Sequence, residues 1–210
     1  MRAGLLRRPG GDKIAGMRLA VLLIPLLVAV HSPAVADGDL AARMTARDKA
    51  KLADYEATRA KALAEARASG SAADVATLDS IMSPAPISVH GGVDLSGLWR
   101  CRTIKLGKTD PRLIVYGWFN CRISEDGAGP WLDKTTGSQR TKGLLYDASD
   151  TRMIYLGALY YSDEKPRLYG ADPQRDQAAY VYLLSKDRMR LEFPAPEYES
   201  LMDVLELKRN

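Results

Sequence analysis

The feature that most restricts the fold of this chain is a series of short β-type segments that follows residue 94. Turn-forming pairs such as Asp126-Gly127, Gly137-Ser138 and Lys186-Asp187 separate the segments. The predicted strands are Leu98–Leu106, Leu113–Ser124, Trp131–Thr136, Gln139–Tyr146, Thr151–Tyr161, Gln177–Ser185, Met189–Phe193 and Leu201–Lys208. Because no long helix interrupts the series, we predict an antiparallel meander of about eight strands, as a calycin-like barrel or a two-sheet sandwich.

The residues before this series have helical character. The segment from Asp39 to Ala68 is rich in Ala, Lys, Arg and Glu, which favour helices, and Thr45 with Asp48 forms a capping pair. A second, short helix is predicted over Ala72–Met82. The fold class is therefore mainly β with one or two N-terminal helices.

The first 36 residues read as a signal peptide. An uninterrupted apolar run, Leu19–Val30, follows Arg18 and is shorter than the ~20 residues that span a bilayer. Ala34-Val35-Ala36 supplies the small residues that a signal peptidase accepts, and Met17 is an alternative start. We predict cleavage after Ala36 and a periplasmic or secreted product without a permanent membrane span; the other interpretation is an uncleaved anchor.

The predicted organisation is a signal peptide over 1–36, a helical segment over 37–83, a linker over 84–93 and an antiparallel β domain over 94–210. The net charge of +4 belongs to the leader, which holds five basic residues and one acid, so the rest of the chain is formally neutral. Nucleic acid is therefore not an expected partner.

Cys101 and Cys121 are the only cysteines, and an even number in an exported chain favours a disulfide. A hairpin centred on Pro111 would place the two cysteines directly opposite each other. A reactive or metal-binding thiol pair is the other interpretation, but the chain has no C-x-x-C motif and only one histidine, His90, after the leader.

The same hairpin sorts side chains onto two faces. The inward face would carry Trp99, Cys101, Thr103, Phe119, Cys121 and Ile123. The outward face would carry Tyr116 and a possible contact patch, called the outer patch, which consists of Arg100, Arg102, Trp118 and Arg122. This patch would dock an anionic group or a partner, or it is simply a solvated strand face.

Tyrosine is enriched on the middle strands, and inward rings with hydroxyls can line a ligand cavity. The candidate ligand-lining residues are Trp99, Phe119, Tyr155, Tyr161, Tyr180 and Tyr182. The competing interpretation is that tyrosine favours strands and half-buried surfaces in general.

No arrangement of residues specifies a reaction, so we predict no catalytic residues, no metal site and no cofactor. His90 lies beside Gly91-Gly92 without a Gly-x-Ser-x-Gly elbow. Glu192, Glu197 and Glu199 form an acidic cluster of the kind that glycosidases use.

Two resemblances extend this interpretation. Gly97-Leu98-Trp99 resembles the Gly-x-Trp that opens lipocalin and other calycin barrels, which implies that Trp99 packs across the closed end beneath Lys208 or Arg209. The segments DLSGLWRCRTIKLG, VYGWFNCRI, TGSQR, YLGALYY, DQAAY, RLEFPAP and LELKR resemble an uncharacterised family of exported bacterial proteins, the domain of unknown function DUF4893. This second resemblance implies location and fold, and it brings no activity.

The sequence therefore favours an exported, non-enzymatic barrel that binds a small apolar ligand. The alternative is an envelope structural or interaction protein without a ligand cavity, which would contact an envelope protein. A hydrolase that uses carboxylates is the third and weakest hypothesis.

Overall fold

The computed structural model describes residues 40–90 and 92–209. The predicted signal peptide, its cleavage site after Ala36 and the alternative start at Met17 lie outside the described residues. The described helices and strands belong to one compact unit.

After a helical segment that includes residues 40–43, three helices precede the strands: α1 Ala46–Ala53, α2 Tyr55–Ser69 and α3 Ala72–Met82. The Thr45 side chain caps α1 by accepting from the Asp48 amide, as its spacing predicts. The single helix predicted up to Ala68 is wrong, because Asp54 leaves the helical conformation and ends α1. The bend at Asp54 separates two helices that bury Leu52 and Tyr55 against the same face of the sheet.

Nine strands follow, in the order β1 Gly97–Leu106, β2 Leu113–Val115, β3 Phe119–Asp126, β4 Gly129–Lys134, β5 Gln139–Ser149, β6 Arg152–Tyr161, β7 Asp176–Ser185, β8 Arg188–Pro194 and β9 Met202–Arg209. Every strand pairing is antiparallel, and the sheet order is β2-β1-β3-β4-β5-β6-β7-β8-β9. Strand β9 also pairs with β1, from Trp99↔Arg209 to Leu106↔Met202. The predicted meander is confirmed, and it is an eight-stranded closed barrel with β2 as an extra strand.

The predicted strand Leu113–Ser124 is divided in two, because Tyr116 to Trp118 leave the ladder. Residues Ile104 to Leu106 of β1 pair with β2, while residues Gly97 to Cys101 pair with β3. The turn closes between Gly107 and Arg112, so the hairpin is not centred on Pro111.

This register places Cys101 opposite Phe119 and Cys121 opposite Trp99. The prediction that the two cysteines lie directly opposite each other is therefore wrong, because the register of β3 against β1 differs from the predicted one by two residues. A shift of two keeps every side chain on its predicted face, since side chains alternate with a period of two. The Cys101–Cys121 disulfide is present as a diagonal bridge, with 5.8 Å between its Cα atoms.

Apolar side chains fill the half of the barrel that contains Trp99, which we call the lower half. The core includes Trp99, both cysteines, Tyr155, Val181, Leu191 and Leu207. Trp99 is 1% exposed and closes this end, donating from its indole to the carbonyl of Leu95 at 2.9 Å. The Arg209 guanidinium lies 4.5 Å from the centre of the Trp99 ring and donates to the Ser96 carbonyl. Tryptophan and arginine thus seal one end, as the Gly-x-Trp resemblance implied.

The helices cover part of the outer surface of the barrel. Residues of α2 and α3 pack on outward side chains of β1, β2 and β9, while Leu52 of α1 packs on β6 and β7. The fully buried Glu192 of β8 accepts hydrogen bonds from Tyr55 at 2.7 Å, Arg59 at 2.8 Å and the buried Arg190 at 2.7 Å. Arg59 lies between the buried Tyr55 and Ala62 of α2, where its guanidinium is a counterion of the buried carboxylate.

Candidate functional site

A cavity of about 180 Å³ lies at the end of the barrel opposite Trp99, which we call the mouth. Inward residues at the upper ends of the strands line it, together with the segments after β2 and β4 and before β9. Its apolar lining consists of Phe119, Leu159, Phe193 and Leu205, and its polar lining includes two lysines. The mouth therefore offers both apolar and charged surface to a small molecule.

Lys134 is the most unusual residue of the mouth. It is 6% exposed, and its ammonium donates to the Gln139 carbonyl at 2.6 Å and lies 4.2 Å from the centre of the Phe119 ring. Among the described residues Lys134 forms no ion pair. Burial, with the positive charges of Arg140 and Lys105 adding to it, lowers the pKa of Lys134 to about 8.

Lys105 is buried too, but it has acidic neighbours. It forms an ion pair with Glu199 and lies close to Asp203, its register partner on β9. Burial lowers the pKa of Lys105, but the Asp203 and Glu199 charges outweigh it and raise that pKa above its usual value. Burial raises the pKa of Asp203 to about 6, against the opposing effects of Lys105 and Ser200. The charge of Lys105 is thus balanced within the protein, whereas that of Lys134 is not.

A short hydrogen-bonded layer separates the cavity from the core. The Thr141 hydroxyl lies 2.5 Å from the Tyr155 hydroxyl and donates to the Gln177 amide oxygen at 2.6 Å. Burial raises the pKa of Tyr155 well above its ordinary value, so its hydroxyl is neutral. The Tyr155 ring also packs edge-to-face on Phe193, which lines the cavity.

The structure separates the six candidate ligand-lining residues. Phe119 lines the mouth, while the Tyr155 hydroxyl lies beneath its floor. Trp99 lies at the closed end and does not reach the cavity. Tyr161 is half-buried at the upper end of β6, with the Arg175 guanidinium 4.5 Å from its ring centre.

The inward placement of Tyr180 and Tyr182 is wrong. Their neighbours Ala179 and Val181 point into the core, so the two tyrosines lie on the outer face of β7. The Tyr180 ring meets Tyr55 of α2 edge-to-face at 4.6 Å, and the Tyr182 hydroxyl lies 3.1 Å from that of Tyr55. These tyrosines attach the helix to the barrel.

The outer patch lies outside the barrel below the mouth. Trp118 is half-buried, with the guanidinium carbons of Arg100 and Arg102 at 5.2 Å and 4.7 Å from its ring. Arg100 and Arg122 are exposed, and neither forms an ion pair within the described part of the chain. Tyr116, expected on the same face, lines the mouth instead because the chain leaves the sheet there.

The acidic cluster suggested by the sequence is dispersed. Glu192 is buried under α2, Glu197 pairs with Arg47, and Glu199 pairs with Lys105 at the mouth. His90 is exposed and lies 3.6 Å from Asp150. Within residues 40–90 and 92–209, no group of three His, Cys, Asp or Glu side chains is placed to hold a metal ion. No helix in these ranges is long and apolar enough to cross a membrane.

Comparison with known proteins places the chain in a family. The family model described as "Domain of unknown function (DUF4893)" matches residues 41–207. The chain belongs to this family. No curated protein and no solved structure matches the sequence. The DUF4893 match spans α1 to β9, so the helices and the barrel are parts of one family domain.

Sequence reasoning missed the polar residues of the mouth, above all Lys105, Lys134 and Asp203. A signal for them was present in the strand alternation. Lys105 is in phase with the inward Cys101, and Lys134 is in phase with the inward Leu132. Asp203 is in phase with the inward Leu205, so extending the inward phase to both ends of each strand would have placed these charges inside the barrel.

Proposed function

We propose that this protein is exported and acts as a non-enzymatic barrel that binds a small ligand at its mouth. The observation that carries the proposal is the mouth cavity of about 180 Å³, closed below by the Thr141–Tyr155 layer. A concave site with apolar walls and a few convergent polar groups is typical of small-molecule binding. The mixed lining favours a ligand with an apolar body and a polar group, rather than a wholly apolar one.

Native mass spectrometry of the protein purified from its own host tests ligand binding. We expect one reproducible extra mass of small-molecule size on the wild-type protein. Thr103→Phe, which fills part of the mouth, should lose that mass, while Ser124→Phe on the exposed face of β3 should keep it. A bare wild-type protein that also binds nothing from a small-molecule extract of the host would contradict the proposal.

The disulfide supports export, since such bonds form and persist in oxidising compartments. The apolar run after Arg18 gives the same indication from the sequence. Intact-mass analysis of the unreduced protein from host cells should find a chain that begins at Asp37 and lacks two hydrogens. A chain that keeps residues 1–36, or that has free thiols at both cysteines, would count against export.

The outer patch favours a second candidate function, which is docking of an acidic envelope protein. Arg100 lies beside Lys208 of β9, and Lys208 lies beside Arg188 of β8. Glu206 of β9 pairs with both Arg102 and Arg188, which leaves the exposed Arg100, Arg122 and Lys208 as the cations that an acidic partner would meet. The exposed Leu98, at 59%, adds apolar contact area at its edge.

Cross-linking in intact host cells tests this second candidate. The wild-type protein should form an adduct of defined mass with one acidic protein, and Arg100→Ser/Arg122→Ser should abolish it. The control Arg67→Ser/Arg112→Ser removes the same charge from ion-paired, exposed positions and should leave the adduct unchanged. Equal adducts from both double variants would contradict docking through the outer patch.

A further inference from the structure

A buried cation that faces a cavity needs an explanation, because burial of an unpaired charge is unfavourable. Lys134 is such a cation, with 6% exposure and no ion pair among the described residues. The Gln139 carbonyl accepts one hydrogen bond from its ammonium group, and the Phe119 ring makes a cation–π contact with it. An ammonium has three donors, so hydrogen-bonding capacity remains toward the cavity.

The surrounding charges do not supply a counterion for Lys134. Its charged neighbours are Lys105 of β1 and Arg140 of β5, and both repel it. The acids of the mouth, Glu199 and Asp203, are the partners of Lys105. In the lining of the mouth, Lys105 therefore has acidic partners, whereas Lys134 has no counterion among the described residues.

We propose that Lys134 binds the anionic group, a carboxylate or a phosphate, of the ligand that occupies the mouth. The inference rests on the proposed function, since it assigns a chemical class to the ligand of that site. An anion beside Lys134 would accept from the unused ammonium donors in a low-dielectric setting, where charge-assisted hydrogen bonds are strong. The apolar body of the ligand would lie against Phe119, Leu159 and Phe193, which line the same cavity.

Benzoate, phenyl phosphate and the neutral benzamide form a probe set that shares one ring and differs in charge. Titrations followed by nuclear magnetic resonance of the lysine side chains and backbone amides give the three affinities. We expect the better anion to bind at least about tenfold more tightly than benzamide, as one charge-assisted hydrogen bond provides. The comparison of benzoate with phenyl phosphate identifies which anion the mouth prefers.

The variant Lys134→Met keeps the length and apolar character of the side chain and removes its charge. It should lower the affinity for the better anion about tenfold while leaving the benzamide affinity unchanged. The matched control is Lys142→Met, because Lys142 lies on the outer face of β5 with its ammonium 5.9 Å from the Trp131 ring. This control should bind all three probes like the wild type.

Three results would overturn the inference: equal binding of anions and benzamide, unchanged anion affinity in Lys134→Met, or no response of the Lys134 signals to either anion at about 50 mM. The first two leave the proposed function standing, because a ligand would still occupy the mouth. Conversely, a protein that carries no ligand in its host but binds the anions through Lys134 would contradict the proposed function and support the role of Lys134.

Discussion

Lys134 lies where burial makes its charged form unfavourable, and this has a consequence for stability. Its pKa falls from about 10.4 in the unfolded chain to about 8 in the folded protein. Between these values the unfolded chain binds more protons, so folding stability rises with pH across this window. Below pH 8 the full penalty of the buried charge remains.

We therefore predict that Lys134→Met is more stable than the wild type at pH 7, by roughly 1–3 kcal/mol. The difference should shrink between pH 8 and about 10, because the wild type loses the unfavourable charge there. Lys105 keeps its charge in this window, since its pKa is raised by Asp203 and Glu199 despite burial. Urea unfolding of both proteins at several pH values measures the difference, and a less stable variant at pH 7 would contradict the argument.

Gly157 is the second residue whose environment leads to a prediction. It pairs with Gly143 across β5 and β6, and a Cβ atom on Gly157 would lie 2.1 Å from the Tyr155 hydroxyl. Gly157→Ala should displace Tyr155 and break its contact with Thr141, lowering the free energy of unfolding by about 1–3 kcal/mol.

The control for this prediction is Gly127→Ala, where an added Cβ meets nothing within 4 Å. It should change stability by less than about 0.5 kcal/mol. Urea unfolding distinguishes the two, and a Gly157→Ala protein as stable as the control would show that the layer below the mouth can rearrange freely.

Among the elements, α2 depends on Glu192 for its attachment to the barrel. Glu192→Gln would leave Arg190, which is buried, and Arg59 without their carboxylate. Removal of one partner from a buried ionic cluster costs about 3 kcal/mol, so we predict a loss of that size in chemical unfolding.

The exposed pair Arg67–Asp79 between α2 and α3 offers the comparison. Asp79→Asn should cost less than about 1 kcal/mol, because exposed ion pairs contribute little. Losses of equal size in Glu192→Gln and Asp79→Asn would mean that the cluster beneath α2 is as well hydrated as the surface.

The strands were predictable because turn pairs bracket segments of β-type residues, and the disulfide because the chain has two cysteines, both on predicted strands. The exact register was not predictable, since either of two registers keeps Cys101 and Cys121 on the inner face. The break at Asp54 has only a weak local signal, because aspartate is a poor helix former but single aspartates are common inside helices.

The site was harder to predict than the fold. Strand alternation correctly predicted that Phe119 points into the barrel. Alternation does not show how far along the barrel axis a residue lies, so it also assigned Trp99, which is at the opposite end, to the cavity. Tyr180 and Tyr182 look like inward strand residues until α2 covers the outer face of β7. A buried lysine such as Lys134 resembles a surface lysine in sequence, because its environment comes from strands far away along the chain.

In the whole molecule, the contact of Arg209 with Trp99 closes the barrel end and fixes the last residues of β9 beside the start of β1. Arg209→Gln should lose this cation–π contact and the bond to the Ser96 carbonyl, reducing stability by about 1–2 kcal/mol. The Trp99 indole N–H should also exchange faster with solvent.

Lys208→Gln is the matched control, since Lys208 is the exposed neighbour of Arg209 on the same strand. It should leave both stability and indole exchange close to those of the wild type. Hydrogen exchange measured at the Trp99 indole decides the matter, and unchanged exchange in Arg209→Gln would mean that Leu95 alone seals the end.

The pairing of β1 with β9 also determines when the chain can fold during its synthesis. The ribosome makes α1 to α3 first, but Ile104, Glu192 and Val204, which the helices need as partners, lie on later strands. The barrel itself cannot close until Met202 to Arg209 have been made. Partners so distant in sequence make folding slow, so the nascent barrel stays open until β9 has emerged from the ribosome. Under the proposed export, this open chain is the form that a narrow channel would accept.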